Sequence, residues 1–191
     1  MRIGLLGGTF DPVHTGHLLL AQGALEQAPL DKIIWIPCHR APHKPLEPDA
    51  LPEERARMVQ LAIGDNPAFQ ISRLELDRPA PSYTIDTIRQ IQEEFQGQSA
   101  EWHFLIGSDA VRDLPSWRQI NLLRTLVRFL VIPRPGRSID SIPQDATRLH
   151  VRTLDISASE IRQRIREGRS IRYLVPEPVR LYIEEQGLYK R

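Results

Sequence analysis

The sequence predicts an α/β fold, an open parallel sheet with helices on both faces, and three observations predict it. Short apolar runs rich in β-branched and aromatic residues alternate with stretches of helical spacing, the pattern of strand–helix–strand units. The runs at 3–6 and 129–132 are almost continuously apolar, as strands buried on both faces require. A chain of 191 residues with 41% hydrophobic content can fill one core but is short for two ordinary domains, so 1–191 reads as a single domain.

The elements follow in order. A first strand over 2–6 stops at Gly7-Gly8, and helical spacing begins near Gly16 and runs to 28. A second strand covers 32–37, where Ile33, Ile34, Trp35 and Ile36 are consecutive, and a helix is expected over 52–63. A third strand over 69–76 precedes a helix over 84–95. Strands over 102–107, 128–133 and 149–154 complete the sheet, and helices over 157–167 and 176–186 form a helical portion from about 155 to the end. The proline-rich stretches 37–52 and 133–143 read as loops, and the first is longer than a structural connection usually is. Loops at the carboxyl ends of parallel strands are where such sheets bind ligands.

Composition narrows the partners. Lysine and arginine number 25 against 24 acids, and a balance of +1 gives no overall field that would draw nucleic acid or an anionic membrane. Phosphate binding must then be local. The single cysteine, Cys38, rules out an internal disulfide framework and fits a reducing compartment. No signal-peptide core and no stretch of roughly 20 apolar residues is present, so a cytoplasmic location is expected. A homo-oligomer is left open.

The run GGTFDPVHTGH at 7–17 carries the chemistry. It follows a strand and opens a helix, which presents free backbone N–H groups to an anion. It matches neither GxGxxG nor GxxxxGK[ST]. His14 and His17, three residues apart across the helix start, can together offer imidazole N–H donors to one phosphoryl group, with Gly16 allowing close backbone approach. Capping the helix is the plainer role for either histidine. Further on, Ser157 or Ser159 is a good N-cap for a helix through SASEIRQRIREG, with Ile161 and Ile165 on its buried side. Arg162, placed in the first turn, is disfavoured by the helix dipole unless an anion is present, and a bound triphosphate would supply one.

These two segments resemble the signatures of the HxGH nucleotidyltransferase superfamily, whose members share a Rossmann-like fold. Ile156-Ser157-Ala158-Ser159-Glu160-Ile161-Arg162 is similar to ISxTxIR and departs from it only at Ser159, where threonine is usual and the hydroxyl is kept. Within the superfamily, Pro42-His43-Lys44, Ser82-Tyr83-Thr84-Ile85-Asp86-Thr87, Gly107-Ser108-Asp109, Pro115-Ser116-Trp117-Arg118 and Pro133-Arg134-Pro135-Gly136 resemble segments of bacterial nicotinate mononucleotide adenylyltransferases in the same order. The resemblance implies transfer of AMP from ATP to nicotinate mononucleotide. It implies catalytic roles for His14, His17 and Arg162, and ATP contacts at Gly7, Gly8, Thr9, Phe10, Gly16, Gly107, Asp109, Ile156, Ser157 and Ser159. It also implies acceptor contacts at Lys44, Tyr83, Thr84, Trp117 and Arg134. Read without it, Lys44 is a surface charge, Ser82 or Thr84 a helix cap, Asp109 a cap as readily as a ribose ligand, and Arg134 an ordinary turn residue. Trp35 and Trp102 lie in strand patterns and read as core, whereas Trp117 falls in a polar stretch where stacking on a ligand ring is open to it.

Magnesium is expected to come with ATP, because neither signature holds a carboxylate cluster. No resident metal is expected: Cys38, His39 and His43 lack a fourth ligand. Two other acceptors, nicotinamide mononucleotide and phosphopantetheine, stay open as alternatives, as does a nucleotide- or RNA-binding module using Arg162, Arg164, Arg166, Arg169 and Arg172.

Overall fold

The computed structural model describes residues 1–40, 47–97, 99–133 and 142–190. Six parallel strands form one sheet: β1 (Arg2–Gly8), β2 (Lys32–Pro37), β3 (Phe69–Ile71), β4 (Glu101–Gly107), β5 (Arg128–Ile132) and β6 (Ala146–Arg148), in the order β3-β2-β1-β4-β5-β6. The helices are α1 (Thr15–Gln27), α2 (Pro52–Ile63), α3 (Thr84–Glu94), α4 (Ile120–Leu126), α5 (Ala158–Arg166) and α6 (Glu177–Gln186). The expected open parallel sheet is therefore present.

Strand alternation divides the core. Ile33 and Trp35 of β2 face one layer with Ala21 and Ala24 of α1, Met58 and Val59 of α2, Ile161 of α5 and Val179 and Ile183 of α6. Ile34 and Ile36 face the other, with Ile85, Ile88 and Ile91 of α3 and Leu123 of α4. Both faces of β2 thus meet apolar neighbours, which is why its sequence shows no polar alternation. Trp35 is fully buried and Trp102 half-buried against Phe95, both core residues as expected.

Four elements depart from the sequence reading. Residues 149–154 are not a strand; the last strand lies just before them at Ala146–Arg148. Leu149 N–H closes the ladder on Val131, and the chain then leaves the sheet to cross α1. There the Gln27 side-chain amide satisfies both the N–H and the carbonyl of His150 at 2.8 Å. Val151 fills the groove at Gly23, where a Cβ would come within 2.7 Å of it. The apolar run has the pattern of a strand, but its partner is a helix surface. β3 ends at Ile71 because the chain turns at Arg73, whose carbonyl accepts from the N–H groups of Leu76 and Asp77. A 3-10 turn at Leu114–Ser116 and α4 were not anticipated; α4 starts after Gln119, held at a left-handed φ of 55°.

Candidate active site

The strand order changes direction between β1 and β4, and the loops after β1, β2 and β4 gather at that edge. The first of them is shaped by close packing. Phe10, at a left-handed φ of 50°, folds its ring back over Gly8, where a Cβ would lie 2.8 Å from the ring. That ring is buried against Trp35 and edge-on to His17. The Phe10 side chain is therefore a core group, and only its backbone faces the loop's open side.

His14 and His17 meet as the spacing predicted, their rings stacked 3.7 Å apart between centroids at the start of α1. The N–H of His14 donates to His17 Nδ1 at 3.2 Å, which fixes the orientation of the His17 ring. Gly16 has a local cause beyond ligand approach: a Cβ there would sit 3.0 Å from His14 Nδ1 and push the ring aside.

Behind these rings lies a buried polar scaffold that sequence reasoning did not identify. Asp11, 4% exposed, accepts from the N–H groups of Asp49 at 2.8 Å and Ala50 at 3.1 Å and from the Tyr189 hydroxyl at 2.8 Å. Burial, with the Asp11 charge beside it, raises the Tyr189 phenol far above its ordinary range, so it stays a donor. Arg55, fully buried in α2, donates to the carbonyls of Thr9, Cys38, His39 and Ala50. It joins the loop after β1 to the loop after β2. Desolvation lowers its pKa, with the charge of Asp11 among the effects opposing that. In sequence, Arg55 sits among Glu53, Glu54 and Arg57 and looks like any solvated helix charge.

Arg162 reaches this scaffold from α5. Ser157 is the cap, its hydroxyl accepting from Glu160 N–H at 3.1 Å, so the helix starts at Ala158 and Arg162 falls in the second turn, not the first. Its Nη1 donates to the Asp11 carbonyl at 2.7 Å and its Nε lies 3.0 Å from the Asp49 carboxylate. The anion that Arg162 needs is thus already provided by the protein.

On the other side of the switch point, Arg118, next to Trp117 in the chain, reaches Tyr83 and Asp86 at the start of α3. The Arg118 guanidinium lies 4.7 Å over the Tyr83 ring and 3.9 Å from Asp86. Trp117 is half-buried, edge-on to Phe104 and Phe129, with part of its ring open. Tyr83 itself occupies the cap position of α3, without a side-chain cap, in place of Ser82 or Thr84. Ser82 is drawn away because its N–H donates to the Arg40 carbonyl at 3.1 Å. That bond completes a path from Thr9 through Arg55 and the 38–40 segment to α3. Below it, the buried Glu75 accepts from the Thr87 hydroxyl at 2.6 Å, and Arg78 donates to the same oxygen at 2.8 Å. Burial raises the Glu75 pKa.

Gly107 ends β4 opposite Ile132 of β5, and Asp109 follows it, exposed. Ile156 is half-buried, and Ser157 and Ser159 are exposed at the start of α5. Lys44 and Arg134 lie outside the described residues. Among the described residues no three His, Cys, Asp or Glu side chains gather as a metal-holding group, and no helix is long and apolar enough to cross a membrane.

An open parallel sheet with a paired-imidazole helix start at its switch point, and an arginine brought to the same loop, defines a phosphate-handling nucleotide protein of the nucleotidyltransferase class. The sequence matches the cytidylyltransferase-like family over residues 5–164. A Thermus thermophilus protein named "Probable nicotinate-nucleotide adenylyltransferase" is 45% identical over 190 residues, covering 100% of both chains. A Geobacillus kaustophilus protein of the same name is 46% identical, covering 98% of this chain and 86% of that one. The fold matches that of Plasmodium falciparum nicotinic acid mononucleotide adenylyltransferase complexed with NaAD, with a TM-score of 0.80 at 21% identity, over 98% of this chain and 97% of that one. The chain belongs to the nicotinate-nucleotide adenylyltransferase family.

Proposed function

We propose that the chain, acting as one nucleotidyltransferase domain in the cytoplasm, transfers AMP from MgATP to nicotinate mononucleotide. The acceptor's phosphate oxygen attacks the α-phosphorus; the bond from that phosphorus to the bridging oxygen breaks, and pyrophosphate leaves. The product is nicotinate adenine dinucleotide. A phosphate nucleophile is already ionised at neutral pH, so the reaction needs positioning and donors at the charged oxygens more than it needs a general base.

The observation that carries this reading is the stacked pair His14 and His17 at the start of α1, held in register by the His14 N–H bond to His17 Nδ1. His17 donates to the α-phosphoryl group, His14 supports it, and Arg162 takes the β/γ end. The glycine loop at Gly7 and Gly8, the Thr9 and Phe10 backbone, Gly16, Gly107, Asp109 and the 156–159 segment hold the nucleotide. Tyr83, Thr84 and Trp117 hold the pyridine ring, and the free N–H groups at the start of α3 favour a carboxylate over an amide. Lys44 and Arg134 contact the acceptor's phosphate. Magnesium enters with the ATP phosphates as part of the substrate.

The test is pyrophosphate release from MgATP with nicotinate mononucleotide, nicotinamide mononucleotide and phosphopantetheine offered separately at equal concentration. Strong preference for the first is expected. Release only with phosphopantetheine, or with none, overturns the assignment.

A further inference from the structure

The reaction as proposed has no use for Asp49, yet its position is tightly set. Its N–H and that of Ala50 are both held by the buried Asp11 carboxylate, which makes the placement of its side chain a consequence of the scaffold. From there one oxygen, Oδ2, stands 3.0 Å from Arg162 Nε and 2.6 Å from Arg166 Nη2. Arg162 and Arg166 are four residues apart on α5 and present their guanidinium groups on one face. A single carboxylate oxygen therefore sits between the two cations. Guanidinium groups bind carboxylate and phosphate oxygens through the same fork of donors.

We propose that Asp49 sets how tightly this chain holds its nucleoside triphosphate, by keeping on Arg162 and Arg166 a carboxylate that the polyphosphate must displace. This rests on the reading of Arg162 as a phosphate-binding residue. The exchange is easiest at Arg166: its side chain and that of Asp49 are 39% and 37% exposed, a range in which an ion pair contributes little net stability and opens at small cost, whereas Arg162 is 21% exposed with its Nε buried. The same carboxylate, returning to the arginines, helps pyrophosphate leave.

Asp49→Asn keeps the backbone N–H that Asp11 holds and removes the charge; Asp49→Ser serves as a second variant should the first fail to fold. Titration calorimetry with α,β-methylene-ATP, at fixed magnesium and ionic strength, is expected to give a Kd about three- to tenfold lower than wild type. The gain should vanish when Arg162→Ala is combined with either variant. Pyrophosphate should also inhibit the Asp49 variants more strongly. Equal or weaker binding in the Asp49 variants, with Arg162→Ala alone still weakening binding, overturns the proposal and leaves the role of Arg162 intact. If Arg162→Ala alone binds as wild type does, the phosphate role of Arg162 fails, and the proposal for Asp49 with it.

Discussion

On the β1 side of the site, buried groups hold one another: Asp11 is met by two backbone N–H groups and Tyr189, and Arg55 by four carbonyls. On the α3 side, Tyr83, Asp86, Trp117 and Arg118 meet through half-exposed contacts of ring packing and a 3.9 Å ion pair. The first side is anchored and the second is adjustable. Donors aimed at developing charge act best when they need no reorganisation, which suits the phosphate end. Ring recognition depends on shape and tolerates small shifts. Changes on the β1 side should therefore lower kcat or stability, and changes on the α3 side should raise KM for the acceptor.

The largest effect is expected at His17. Removing one preorganised donor lowers turnover by about 10² to 10³, so His17→Ala should lose at least about 100-fold in kcat for pyrophosphate release. A folded variant retaining more than about a third of wild-type turnover removes His17 from the mechanism, since loss of such a donor costs far more.

Arg55→Met tests the anchor. It leaves four carbonyls without their donor and should cost about 3 kcal/mol or more in urea unfolding. A loss below about 1 kcal/mol would mean that the two loops do not depend on this residue, because that is the range of an ordinary surface pair.

Trp117→Ala sharpens the contrast from the other side. The KM for nicotinate mononucleotide should rise about tenfold, the range of a lost ring contact, while the KM for ATP stays within about twofold. Equal rises for both substrates would erase the division between the two sides.

The smallest effect concerns Glu75, a buried carboxyl beneath α3. Its folded pKa is raised by burial, so the folded chain binds this proton more tightly than the unfolded chain. The contribution to stability is full below about pH 4 and declines as pH rises toward the raised folded value. Glu75→Gln keeps an acceptor for the Thr87 hydroxyl and lacks the titration, so its stability relative to wild type should grow with pH. Unfolding midpoints measured from pH 4 to 8 check this; parallel curves would show that the burial of Glu75 carries no such penalty.

Much of the fold was legible because it rests on local pattern. The run at 129–132 reads as a strand buried on both faces, and the layers confirm it, with Leu130 and Ile132 in one and Phe129 and Val131 in the other. The run at 149–154 was misread because an apolar segment shows only that it is buried, and Val151 meets a helix groove at Gly23, not a neighbouring strand. The pairing of His14 with His17 was legible from spacing, since three residues across a helix start bring two rings together. Arg55 was not, because nothing local distinguishes a buried arginine from a solvated one.

By itself, the sequence determined the sheet, the helix start that presents two imidazoles, and the family to which these motifs belong, all properties of contiguous residues. Which charges are buried, and which carboxylate stands beside Arg162, depends on packing between distant segments. Asp11, the 49–55 stretch, Arg162 and Tyr189 are far apart along the chain, and their hydrogen bonds exist only once the strands, α2, α5 and the C-terminal residues have packed at one edge of the sheet.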